Sequence, residues 1–137
     1  MKKFILFTTV FLGISFVSSA QCDTTAHYAQ KYLKENFVPD GQSYRALLYD
    51  DQLAEFETTL FGNSIYRIVA FSGLEKEQLI FSLYDREDNL LFTNEEHKNS
   101  PYWDFEIEST LSVRLEAELD QTKQSSGCAV ILIGFEK

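Results

Sequence analysis

Leu111-Ser112-Val113-Arg114-Leu115-Glu116-Ala117-Glu118-Leu119 is the stretch on which the fold turns. Every odd-numbered residue is apolar and every even-numbered one polar. Wound as a helix, the segment would scatter its apolar residues around the whole circumference. In a strand, successive side chains point to opposite faces, so the same residues line one buried side. The stretch therefore predicts a β-strand with one face on a core and one in water.

The period of two extends in both directions. Trp103, Phe105 and Ile107 alternate with Asp104, Glu106 and Glu108. Further strands are expected near residues 43–49, 53–61, 64–72, 78–85 and 89–93, separated by Gly62-Asn63, Ser72-Gly73, Asp88-Asn89 and Asn99-Ser100-Pro101. Ala129-Val130-Ile131-Leu132-Ile133 is apolar on both faces, which places it centrally, covered on one side by a helix or a second sheet. Some eight short strands predict a mainly β chain, an antiparallel β-sandwich or jelly-roll, with an open barrel plugged or lidded by a helix as the next choice. The segment from Asp120 to Gly127 is the one loose stretch, and no internal repeat or linker is present.

One helix precedes the strands. Asp23 or Thr24 can cap it, and Ala26, Ala29, Leu33 and Phe37 recur at three- and four-residue steps, giving a buried stripe over about 23–36. Cys22 extends that stripe backwards. Pro39-Asp40-Gly41 is expected to turn the chain before the first strand.

Ahead of the helix, Lys2 and Lys3 lead an uncharged apolar run from Phe4 to Val17, and Ser18-Ser19-Ala20 supplies small residues of the kind a signal peptidase reads. The run is shorter than the roughly 20 residues a spanning helix needs. The expectation is a secretory leader, residues 1–20, cut after Ala20. Lipid attachment at Cys22 is the rival, and Gln21 in place of a small residue argues against it. The remaining 21–137 has the size of one domain, exported to the periplasm or the exterior, with no membrane span once the leader is gone. Losing Lys2 and Lys3 takes the whole chain's 12 basic and 21 acidic residues to 10 and 21, a net charge of −11. Such a surface repels nucleic acid, whose binding depends on basic residues neutralising phosphates. In an oxidising compartment Cys22 and Cys128 have one possible pairing. A disulfide across their 106-residue separation would remove unfolded-chain entropy worth roughly 4–5 kcal/mol.

Chemistry-bearing residues are sparse. The two histidines, His27 and His97, lie among polar neighbours, and neither cysteine has a histidine beside it, so no nucleophile finds a base. Zinc spacing is absent, and no cofactor motif is present. Asp85, Glu87, Asp88 and Asn89 offer oxygen ligands of the sort calcium takes, but without EF-hand spacing or glycine and with Arg86 among them. A charged hairpin turn is the simpler reading. Glu106, Glu108, Glu116 and Glu118 fall on the polar faces of their strands. Were those strands neighbours, the four would form an acidic patch, and paired carboxylates of that type cleave glycosides. Like charges directly opposite one another are destabilising, so the strands are expected to be staggered, separated or met by something cationic. Trp103 shares parity with Phe105 and Ile107 and belongs to the core. Tyr102 lies on the other face and is the candidate surface contact for a sugar ring or a protein.

The run from Tyr66-Arg67-Ile68-Val69-Ala70 through Tyr84-Asp85-Arg86-Glu87-Asp88-Asn89-Leu90-Leu91-Phe92 to Ile131-Leu132-Ile133-Gly134-Phe135 resembles exported β-sandwich modules, the bacterial pre-peptidase C-terminal and GOLD-type domains. In those, a strand ending in Tyr-Asp leads over a polar turn into an apolar strand, and the last strand is strongly apolar. The similarity is one of pattern over residues 64–137 and excludes the helix. It implies an accessory or binding module. The expectation is thus a non-enzymatic exported module that recognises a protein or cell-envelope component. The alternative is a small carbohydrate-binding or carbohydrate-active protein using the acidic strand faces and Tyr102.

Overall fold

The computed structural model describes residues 17–34, 36–73 and 79–137, with side chains from Cys22 onward. The basic and apolar part of the expected leader, residues 1–16, lies outside them. Helix α1 spans Val17–Ala29 and tightens into a 3-10 turn at Gln30–Leu33. Eight strands follow: β1 Phe37–Tyr49, β2 Leu53–Leu60, β3 Ser64–Ser72, β4 Leu79–Tyr84, β5 Leu90–Thr93, β6 Tyr102–Ile107, β7 Leu111–Leu119 and β8 Ser126–Glu136.

They form two four-stranded sheets, ordered β1-β8-β3-β6 and β2-β7-β4-β5, with every pairing antiparallel. The pairs nest: β4 with β5, β3 with β6, β2 with β7, β1 with β8. A long hairpin rolled onto itself gives this order, which is the jelly-roll topology. A closed barrel would leave no edges. Here the sheet orders end in β1 and β6 in one sheet and β2 and β5 in the other.

The alternation of Leu111–Leu119 is realised as read. Val113, Leu115, Ala117 and Leu119 are buried in the inter-sheet core with Ile68, Phe81, Leu83 and Ile131, while the even residues face out. Strand β8 is central and covered on both sides. Ala129, Ile131 and Ile133 face the opposite sheet, and Cys128, Val130 and Leu132 face α1. The helix lies against the outer face of the first sheet through Ala26, Ala29 and Leu33, packed on Val69, Phe71, Val130 and Leu132. It is an outer layer, neither plug nor lid. Cys22 and Cys128 are joined in a disulfide that fastens this layer to the sheet.

Three local expectations differ. Asp23 and Thr24 lie inside α1 rather than at its start, and the Asp23 carboxylate pairs with Arg45 on β1 instead of capping. The helical segment ends at Leu33, short of Asn36, because Arg67 of β3 takes the Tyr32 carbonyl (Nη1 to O, 3.0 Å) and Lys34 turns extended. Pro39-Asp40-Gly41 makes a bulge and no turn. The register passes from Pro39 opposite Gly134 to Ser43 opposite Leu132, and Gly41 adopts a φ of 86° that side chains rarely reach. Pro39 is tolerated because β1 is an edge strand, where a missing N–H need not cost a ladder bond.

Candidate functional site

The candidate site is the edge where β5 and β6, the last strands of their sheets, meet through Phe92, Trp103 and Phe105. Strand β5 is fixed from both ends. At its start, the Asp85 carboxylate closes the β4–β5 turn, with Oδ1 accepting from the backbone N–H of Glu87 and of Asn89 (2.9 Å each) and Oδ2 from Asn89 Nδ2 (3.0 Å). The Asn89 side-chain bond, followed by these backbone bonds, holds the Asp85 carboxyl below its ordinary pKa. At its end, Thr93 Oγ1 accepts from Glu95 N–H and starts a 3-10 turn over Asn94–His97. Asn94 is fully buried there. Its Oδ1 accepts from Phe81 N–H (2.9 Å), and its Nδ2 donates to the carbonyls of Leu79 (2.9 Å) and Ser100 (3.0 Å). One side chain thus ties β4 to the loop that leads into β6.

That loop sets an aromatic cluster. Phe92 packs on Phe81 (5.5 Å between centroids), Trp103 (5.2 Å) and Phe105 (5.0 Å, edge to face), and His97 stacks on Trp103 at 4.1 Å. Beyond the cluster, between β5 and β6, an open apolar slot of about 270 Å³ is lined by Leu60, Leu83, Leu91, Phe92, Phe105 and Ile107, with Asp104 and Glu106 of β6 beside it. Leu90 and Leu91 are 52% and 48% exposed, and Phe61, next in the chain to Leu60, is 61% exposed. Among the described residues no strand pairs with the outer side of β5 or of β6.

The residues singled out from sequence fall elsewhere or apart. Tyr102 is half-buried against the end of the helix, with the Arg67 guanidinium 4.4 Å from its ring and the Tyr32 ring at 5.5 Å. Arg67 itself lies over Phe37 (4.2 Å) and grips Asp104 through two bonds of 2.7 and 2.9 Å, so Tyr102 belongs to a seam joining helix to sheet. Glu106 is on the outer face of β6 and Glu108 lies just beyond its end, whereas Glu116 and Glu118 are on the outer face of β7, in the other sheet. The four do not form one patch, and the sandwich stands between the two pairs. Glu116 is bonded by Arg114 (3.2 Å) and lies opposite Glu55. Glu118 has its carboxyl pKa raised by burial and then by Glu95 and Glu116.

Asp85, Glu87, Asp88 and Asn89 form the hairpin turn. Asp85 is occupied within it, and Asp88 pairs with Arg114 across the sheet. No group of three or more histidine, cysteine, aspartate or glutamate side chains is arranged to hold a metal among the described residues. His27 is exposed on α1 beside Tyr28. His97, read as a solvated loop residue, is exposed yet stacked on Trp103.

Sequence reasoning missed Leu90, Leu91, Phe92 and Asn94. A signal was there: Leu90-Leu91-Phe92 breaks the alternation of the other outward-facing strands, and a strand with consecutive apolar residues must expose some of them unless both faces are covered. No protein-family model matches the chain, and no curated protein matches it in sequence.

Proposed function

We propose that the chain is a non-enzymatic binding module of an exported protein, and that it holds a protein partner at the β5–β6 edge. The observation that carries this reading is the coincidence of an unpaired sheet edge, an open apolar slot and the half-exposed Leu90 and Leu91. Unpaired strand edges and exposed apolar patches are managed in stable monomers by charge, proline or covering elements, and where they persist they mark contact sites. The opposite edge has those devices, Pro39 and a bulge in β1 and Glu55 and Glu57 in β2, whereas β5, Leu90-Leu91-Phe92-Thr93, carries neither charge nor proline. The disulfide is compatible with an oxidising compartment, and the leader pattern at residues 1–20 supports export. The resemblance to exported accessory modules points the same way.

A photoreactive amino acid placed at Leu91 in the native host should yield a discrete protein adduct, while one at Thr59, on the outer face of β2 at the far edge of the same sheet, should not. Equal labelling from both positions, or none from Leu91, would sink the reading.

The carbohydrate alternative has one observation in its favour. An open hollow of about 350 Å³ on the outer face of the second sheet is lined by Glu57, Thr59, Asp85, Arg86, Ser112 and Arg114. Arg86 donates to Ser112 Oγ (3.1 Å). The Arg114 guanidinium lies over the ring of neighbouring Tyr84 at 4.8 Å, so one of its faces is already taken. A glycan-array signal lost on Arg86→Ala would move the function to that face.

A further inference from the structure

We infer that the partner binds by strand addition to β6, presenting an extended segment in which apolar residues alternate with lysine or arginine. This rests on the protein-binding reading above and names the chemistry of the occupant.

The parity of β6 dictates the pattern. A strand laid beside Tyr102–Ile107 extends the first sheet, and residues directly opposite one another in a sheet point to the same face. Trp103, Phe105 and Ile107 face the core side. Residues opposite them turn inward over the slot, where Leu91 and Phe92 supply the far wall. Residues opposite Asp104 and Glu106 turn outward instead.

Charge then decides what those outward residues are. Asp104 is already gripped by Arg67, but Glu106 and, beyond the strand, Glu108 have no ion-pair partner among the described residues. Opposite charges facing each other across a strand pair stabilise it, and like charges destabilise it. A second copy of this chain is the wrong occupant. Its β6 would bring Asp104 and Glu106 to an edge carrying the same residues, between chains each with a net charge of −9, or −11 without residues 1–20. A basic-apolar strand satisfies the backbone, the slot and the carboxylates together. Main-chain bonds would supply affinity and the alternate pockets specificity.

The test uses the oxidised chain and synthetic peptides of about eight residues, the length of a short strand. One alternates lysine with valine, one holds the same residues in two blocks, and one alternates glutamate with valine. Emission of the single tryptophan, Trp103, reports contact at β6. The lysine-valine alternation should bind at least about tenfold more tightly than either of the others, a difference of roughly 1.4 kcal/mol. Glu106→Lys should reverse the preference between lysine and glutamate peptides without lowering the melting temperature. Leu91→Asp should weaken every alternating peptide.

Equal binding of the block peptide, no binding of any alternating one, an unchanged preference in Glu106→Lys, or a sedimentation shift showing the edge filled by a second copy would each overturn strand addition. A Leu91 adduct in the host together with any of those results would leave the protein-binding reading standing. Loss of the adduct as well would remove both.

Discussion

Asn94 ties the β5–β6 edge together through three hydrogen bonds of one buried amide. It is fully buried, and its amide meets one N–H and two carbonyls. Truncation leaves those backbone groups in a dry site. A buried group without its partner costs about 1–3 kcal/mol, so Asn94→Ala should lower unfolding free energy by roughly 3 kcal/mol, read as a lower urea midpoint at unchanged slope. Glu118 works the other way. Burial, then the carboxylates of Glu95 and Glu116, raise its pKa above the unfolded value. Its protonated form is therefore favoured by folding, and the benefit present in acid is lost as pH rises through the folded pKa. Glu118→Gln should raise the melting temperature at neutral pH, by less than about 1 kcal/mol in stability because the group is partly in solvent, and the gain should vanish as the pH falls below the ordinary carboxylate range. Neither role was legible in the sequence. Asn94 reads as a loop residue because its partners are backbone groups 13 and 15 positions back, and residue type alone does not encode them.

At the scale of elements, periodicity told most. The strict alternation of Leu111–Leu119 and the doubly apolar 129–133 segment fix which strands are half-exposed and which central, because burial on one or both faces leaves a direct mark on residue type. Turn signals also held. Asn63, Asp88 and Asn99 adopt positive φ at the breaks after β2, β4 and β5, a conformation that asparagine and aspartate tolerate better than most residues. Legibility ended where tertiary contacts override local preference. The helix stops at Leu33 because of Arg67 on β3, and Pro39-Asp40-Gly41 stays in a strand because β8 holds it there as a bulge. Gly134 shows how closely the helix end sits on the sheet. A methyl group there would lie 2.8 Å from Leu33 Cδ2 and 3.3 Å from Phe37 Cβ. Gly134→Ala should cost about 1–2 kcal/mol, since Leu33 must leave its rotamer. Leu33→Ala should recover part of that loss when combined with it, which a double-mutant cycle would register.

For the whole molecule, the sequence gives the parts and not their arrangement. Alternation says that β6 and β7 each have a polar face. Only the nested strand order places those faces in different sheets and so separates Glu106 and Glu108 from Glu116 and Glu118. The disulfide was legible, since two cysteines under oxidising conditions have one pairing, and it joins the outer helix to the central strand across 106 residues. Reduction should destabilise the chain by roughly 4–5 kcal/mol on the loop-entropy model, measured by guanidinium unfolding with and without reductant. The same architecture closes one sheet face with α1 and, among the described residues, leaves the β5–β6 edge unpaired.

Amide hydrogen exchange of β6 in the free, oxidised chain tests that openness most directly. In an antiparallel edge strand alternate N–H groups point toward the neighbour and away from it. Slow and fast exchange should therefore alternate along Tyr102–Ile107, the slow amides being those bonded to β3. Uniform protection along β6 would mean that its outer side is already paired, and the account of this edge as a vacant docking strand would fail.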